Sequence, residues 1–161
     1  MNIIIRLLVI ASLALSVAAC EKQPAPVAAK AALTAPTSED SAAWKAYLQD
    51  LVPRQMEGIT NQPFIYFLPG ESAPDFADQY GRLAEKAKTD VSRGIIDGNM
   101  LAYASPTSAK MADLVIAAFT GTEANSMKGV RVLFIGKPAD SERVKAAVAP
   151  AGVQYVFVEA K

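Results

Sequence analysis

The sequence predicts an α/β fold: a small three-layer sandwich on a mostly parallel four-stranded sheet, preceded by an N-terminal helix. Three observations predict it. Four short apolar runs rich in Val, Ile, Phe and Tyr recur between positions 64 and 158. Amphipathic stretches of roughly 10–20 residues separate them, the length a right-handed crossover between parallel strands needs. Gly, Pro and Asp-Gly steps mark nearly every junction.

The first helix is expected from about Ser41, with Ser38 or Ser41 as its cap and Glu39 and Asp40 near its positive end. Trp44, Tyr47, Leu48, Leu51 and Val52 fall at helical spacing and form one apolar stripe for the core, until Pro53 kinks or ends the helix. Phe64-Ile65-Tyr66-Phe67-Leu68, closed by Pro69-Gly70, reads as a strand buried on both faces. A helix begun at Pro74-Asp75 carries Phe76, Tyr80, Leu83, Ala84, Ala87 and Val91 on one face. Asp97-Gly98 then turns the chain into a short strand, Met100 to Ala104.

The unit repeats. Ser105-Pro106-Thr107-Ser108 reads as loop and cap, followed by a helix with Met111, Leu114, Val115, Ala118 and Phe119 inward and Gly121 at its end. Val130–Ile135 is the strongest strand pattern. A helix from about Asp140 to Ala149 and a last strand, Val153–Val158, complete the order α-β-α-β-α-β-α-β. Periodicity leaves strand order open, and the last strand is free to run antiparallel.

Ahead of this domain, expected at 41–161, lies a different kind of sequence. Arg6 precedes an apolar run from Leu7 to about Leu15, shorter than the ~20 residues a spanning helix needs. It ends in Val17-Ala18-Ala19-Cys20, which resembles the bacterial lipobox. That resemblance implies a lipoprotein: a signal peptide over 1–19 is removed and Cys20 carries the acyl chains. At ~0.8 kcal/mol per buried CH₂, several chains make a lasting membrane anchor. Glu21 follows, where an aspartate resembles an inner-membrane retention signal, so the expected location is the periplasmic face of the outer membrane. Residues 20–40 are expected to be the lipidated cysteine and a flexible tether containing Pro24, Pro26 and Pro36. At ~3.1 Å per residue such a tether reaches some 50 Å from the bilayer.

Composition narrows function mainly by exclusion. The chain has 161 residues, no histidine and one cysteine, Cys20. With Cys20 lipidated, the domain lacks a thiol and an imidazole, which removes Cys- and His-based catalysis, dithiol redox chemistry and ordinary zinc sites. Losing Arg6 with the signal peptide leaves 15 basic against 16 acidic residues, a formal charge of −1. That balance, without a basic run, argues against nucleic acid as a partner. No cofactor or metal is expected.

Ligands of open α/β sheets bind beyond the carboxyl ends of the strands. Three loops are expected there: Pro69–Asp75, Ser105–Lys110 and Gly136–Glu142. Ser105, Thr107, Ser108, Lys110 and Lys137 are the candidate contacts, offering hydroxyls, a helix N-terminus and positive charge to a carboxylate or phosphate. The plainer expectation is that Ser105 or Ser108 caps the helix and Lys110 is solvated. Neither G-x-x-x-x-G-K-[ST] nor G-x-G-x-x-G occurs. Ser105 with Lys110, or Ser108 with Lys137, would be the only nucleophile–base pairs, and such a lysine must be desolvated to act. Asp75 with Glu71 or Asp140 would be the carboxylate pairs. The polar loop Gly121–Gly129, with an exposed-looking Met127, is a further candidate contact surface. The expectation is a non-catalytic interaction protein of the envelope, of the immunity or accessory-subunit kind, with an envelope or secreted protein as partner. A small-ligand-binding lipoprotein using the carboxyl-edge loops is the alternative.

Overall fold

The computed structural model describes residues 31–161; the expected signal peptide, Cys20 and the first part of the tether lie outside the described residues. The elements are α1 (Ser41–Arg54), β1 (Phe64–Phe67), α2 (Phe76–Ser92), β2 (Met100–Ala104), α3 (Ser108–Phe119), β3 (Arg131–Gly136), α4 (Pro138–Val148), a 3-10 turn (Ala149–Ala151) and β4 (Gln154–Glu159). All eight predicted elements are present. Asp40, not Ser38 or Ser41, caps α1, its carboxylate accepting the Ala42 N–H at 2.9 Å. Pro53 sits inside the last turn of α1 without ending it. Its ring removes one N–H, and Gln55 closes the helix by donating to Val52. α4 starts at Pro138, two residues before the expected Asp140, because proline suits the first helical position.

The sheet runs β1-β2-β3-β4, every neighbouring pair parallel, β4 included. A strand order that never reverses, joined by crossovers of one hand, places all connecting helices on one face. Accordingly α2 packs on α3 and α3 on α4. On the opposite face α1 is the one helix among the described residues, with Ala35, Met56 and Ile59 from the segments flanking it packed alongside. The register sorts side chains between the two layers with period two. Leu101, Val132 and Tyr155 lie side by side, as do Tyr103, Phe134 and Phe157, all facing the three-helix layer. Met100, Ala102, Ala104, Leu133 and Ile135 face α1, meeting Trp44, Tyr47, Leu48 and Val52.

One helix cannot cover four strands. α1 lies over the middle of the sheet, so β1 is a half-covered edge strand and not one buried on both faces: Ile65 is 47% exposed. Met127 corrects a second expectation, being buried (1% exposed), with its N–H bonded to Ala151 O at 2.9 Å. The loop that carries it folds back onto the 3-10 turn.

Within the three-helix layer Tyr66 and Tyr103 stack at 4.6 Å and 12°. The Tyr66 hydroxyl donates to Asp90 at 2.8 Å, and Lys86 bridges to the same carboxylate. Burial pushes the Asp90 carboxyl up, but donation from Lys86 and Tyr66 outweighs it and holds the group below the ordinary aspartate value. The Tyr103 hydroxyl is fully buried with no hydrogen-bond partner among the described residues. An unsatisfied buried hydroxyl costs about 1–3 kcal/mol, so Tyr103→Phe is expected to raise the urea midpoint at unchanged slope. A fall in midpoint instead would mean that the hydroxyl is bonded in solution.

Candidate functional site

Because all four strands run one way, the three expected loops do gather at one edge, beyond Phe67, Ala104, Gly136 and Glu159. The edge nevertheless lacks the feature that opens a crevice in doubly wound sheets. A crevice forms where strand order reverses and helices diverge to opposite faces. Here the order is monotonic.

Ser105 is 1% exposed and its Oγ accepts the Thr107 N–H at 2.9 Å, so it closes the β2–α3 turn. Ser108 is 4% exposed and its Oγ accepts the Lys137 N–H at 2.8 Å, tying the first turn of α3 to the end of β3. Neither serine caps α3, and Thr107, at the N-cap position, makes no side-chain cap bond. Gly136 permits this closeness, since a Cβ there would lie 2.5 Å from Ser108 Oγ.

Ser105, Ser108 and Lys137 border a common recess of about 290 Å³ with Trp44 and Gly136. Thr107, Ser108 and Lys137 border a shallower one with Glu39, Glu71 and Asp140. Lys110 lines neither; it is exposed on the outer side of α3. The Ser108–Lys137 link runs through the backbone amide, not the amine, and Lys137 is exposed, without the desolvation a base would need. The acids are engaged separately. Asp75 accepts from Gln79 at 2.7 Å and Asp140 pairs with Arg143 at 2.9 Å. Arg143 also reaches Asp113 and the carbonyl of Ala109, so its ion pairs fasten α4 to α3. Among the described residues no cluster of acids, Cys or His could hold a metal ion, and no helix is long and apolar enough to cross a membrane.

Sequence reasoning missed what crosses this edge. Residues 33–40, assigned to the tether, lie against the domain. Leu33 N–H donates to Asp50 at 3.0 Å, and the Trp44 indole N–H donates to Ser38 O at 2.8 Å. Pro36 and Thr37 border the recess together with Ala160 and Lys161, past β4, while Glu39 reaches the loop past β1. Residues 36–39 thus border the recess at the carboxyl edge, and Glu39 ties them to the loop past β1. Glu39 accepts the Ser72 N–H at 3.1 Å and the Ser72 hydroxyl, and lies so close over Gly70 that a Cβ there would overlap its carboxylate. These donations, the Ser72 hydroxyl first, hold the Glu39 carboxyl below its ordinary value. No protein family, characterised protein or solved structure matches this chain.

Proposed function

We propose that the chain is a lipid-anchored, non-catalytic interaction protein. Cys20 holds it on the periplasmic side of the envelope, in the outer membrane. Its partner is an envelope or secreted protein that lays an extended segment along β1. The observation that carries this reading is the open edge of β1. Leu68 N–H bonds Ala104 O at 3.1 Å. By period two, Ile65 and Phe67 therefore turn their N–H and C=O groups outward, toward no other strand among the described residues. The same two residues place their side chains on the half-covered face, with Ile65 47% exposed and Phe67 half-buried. Edge strands are ordinarily blunted by charge or bulges. Phe64–Phe67 carries no charge, and is limited only by Pro63 and Pro69 at its ends. A short strand added here would gain main-chain bonds and cover Ile65.

The small-ligand alternative draws on the 290 Å³ recess, but the Ser105 and Ser108 oxygens already accept backbone N–H groups, and the chain's own residues 36–39 form part of its wall. The test is capture of the full-length lipoprotein from its own envelope after mild crosslinking, in parallel with Ile65→Asp. A stoichiometric partner with the wild type, lost with Ile65→Asp, is expected. Equal recovery by both removes the β1 edge from the interaction. A wild type that comes out alone overturns the partner reading in favour of a ligand.

A further inference from the structure

We propose that the loop Gly70–Ser72 is a carboxylate-binding site occupied in cis by Glu39, and that displacing Glu39 releases residues 36–39 from the carboxyl edge and widens the recess they border. The site already holds a carboxylate, so its chemistry is demonstrated by its own occupant. Ser72 gives an N–H and an O–H to one oxygen, and Gly70 leaves the space above the chain free. Two donors converging on one oxygen suit a carboxylate better than a neutral carbonyl, because the charge strengthens each bond.

The same geometry makes the latch releasable. Glu39 is exposed, its bonds face solvent, and Glu71 places a like charge beside it. Glu39 reaches the loop across 33 residues of sequence but is locally pinned through Asp40, the cap of α1, and through Ser38, bonded to Trp44. That pinning gives it the high effective concentration of a short linker. A free carboxylate in solution therefore competes poorly, whereas an acidic side chain or C-terminus presented by a docked protein has an effective concentration of its own. Once Glu39 leaves, the segment keeps its anchors on the α1 side, the Trp44–Ser38 and Leu33–Asp50 bonds and the packing of Ala35, but loses its tie to the loop past β1.

Two variants release the latch from opposite sides. Glu39→Ala removes the occupant. Gly70→Ala puts a methyl group where the carboxylate lies, and a flexible exposed side chain yields to it without disturbing the core. The probe is acetate, titrated into the full chain in detergent micelles with chloride as the ionic-strength control, and read by amide NMR. In Glu39→Ala the Glu71 and Ser72 amides are expected to shift saturably with acetate and not with chloride, while wild type stays unchanged. In both variants the Trp44 indole N–H is expected to exchange about tenfold faster, the scale of one or two lost hydrogen bonds, with β2 and β3 amides still protected. No acetate response in Glu39→Ala, or a response to chloride of equal size, overturns the carboxylate site. Unchanged indole exchange in Glu39→Ala overturns the latch, even if Gly70→Ala does not fold.

Discussion

Truncating Trp44 to alanine is expected to destabilise the domain by about 3–5 kcal/mol, the range for emptying a large buried aromatic site. The magnitude follows from its position. Trp44 is 2% exposed and is the largest side chain in the cluster between α1 and the sheet, stacking on Phe67 at 6.3 Å and meeting Tyr47 edge-on at 6.0 Å. Ala104 and Ile135, strand residues of the same cluster, cannot fill the space from a rigid sheet. The indole also donates to Ser38 O, so the loss combines a cavity with an unbonded carbonyl. Trp44→Phe separates the two effects: it keeps much of the ring but loses the N–H, and should cost less than alanine while loosening residues 36–39 almost as much. Urea midpoints give the first comparison, and proteolysis within residues 33–39 the second. If Trp44→Ala shifts stability by less than about 1 kcal/mol, α1 is not part of the cooperative fold and the sheet is stabilised by the three-helix layer alone.

The helices were legible by their period and the strands as unbroken apolar runs, which in the central strands serve two covered faces. Trp44, Tyr47, Leu48 and Val52 repeat as a helix, and Val132 to Ile135 alternate between the two layers of a central strand. Strand order was not legible, since parallel pairing leaves no local mark on either strand. That gap explains the error at β1. Phe64–Leu68 is apolar throughout, and only knowledge that the order begins with β1 tells that Ile65 meets solvent. Met127 failed for the opposite reason: one methionine in the polar loop GTEANSMKG has no period, and its burial depends on Ala151, 24 positions away.

At the carboxyl edge Ser105, Ser108 and Lys137 border one recess, but their bonds were not foreseeable, because Ser108 finds Lys137 across 29 residues and Glu39 finds Ser72 across 33. The composition of residues 20–40 read as tether. It contains no apolar period, and the contacts that dock its last part are single polar atoms, Ala35 and one proline, which leave no pattern to find.

Substituting Gly136 is the second change with a large expected effect, and it tests whether the carboxyl edge is closed by design of the backbone. β3 ends at Gly136 under the first turn of α3, where a Cβ would lie 2.5 Å from Ser108 Oγ and 2.9 Å from the Phe134 ring. Neither neighbour can retreat freely, as Ser108 is held by the Lys137 N–H and Phe134 is packed at 0% exposure against Phe157. Overpacking of this kind costs about 1–3 kcal/mol for one methyl, so Gly136→Ala should lie in that range and Gly136→Val beyond it. The cost should also be coupled to Ser108. Ser108→Ala alone loses the bond to Lys137, but in the double variant it makes room for the new methyl, so the two changes together should be milder than their sum by at least about 0.5 kcal/mol. Strict additivity would place the clash on Phe134 and leave the α3 terminus undisturbed. A Gly136→Ala variant as stable as wild type would show that α3 can ride outward at no cost, and the recess bordered by Ser105 and Ser108 would then be adjustable in size and not set by the backbone.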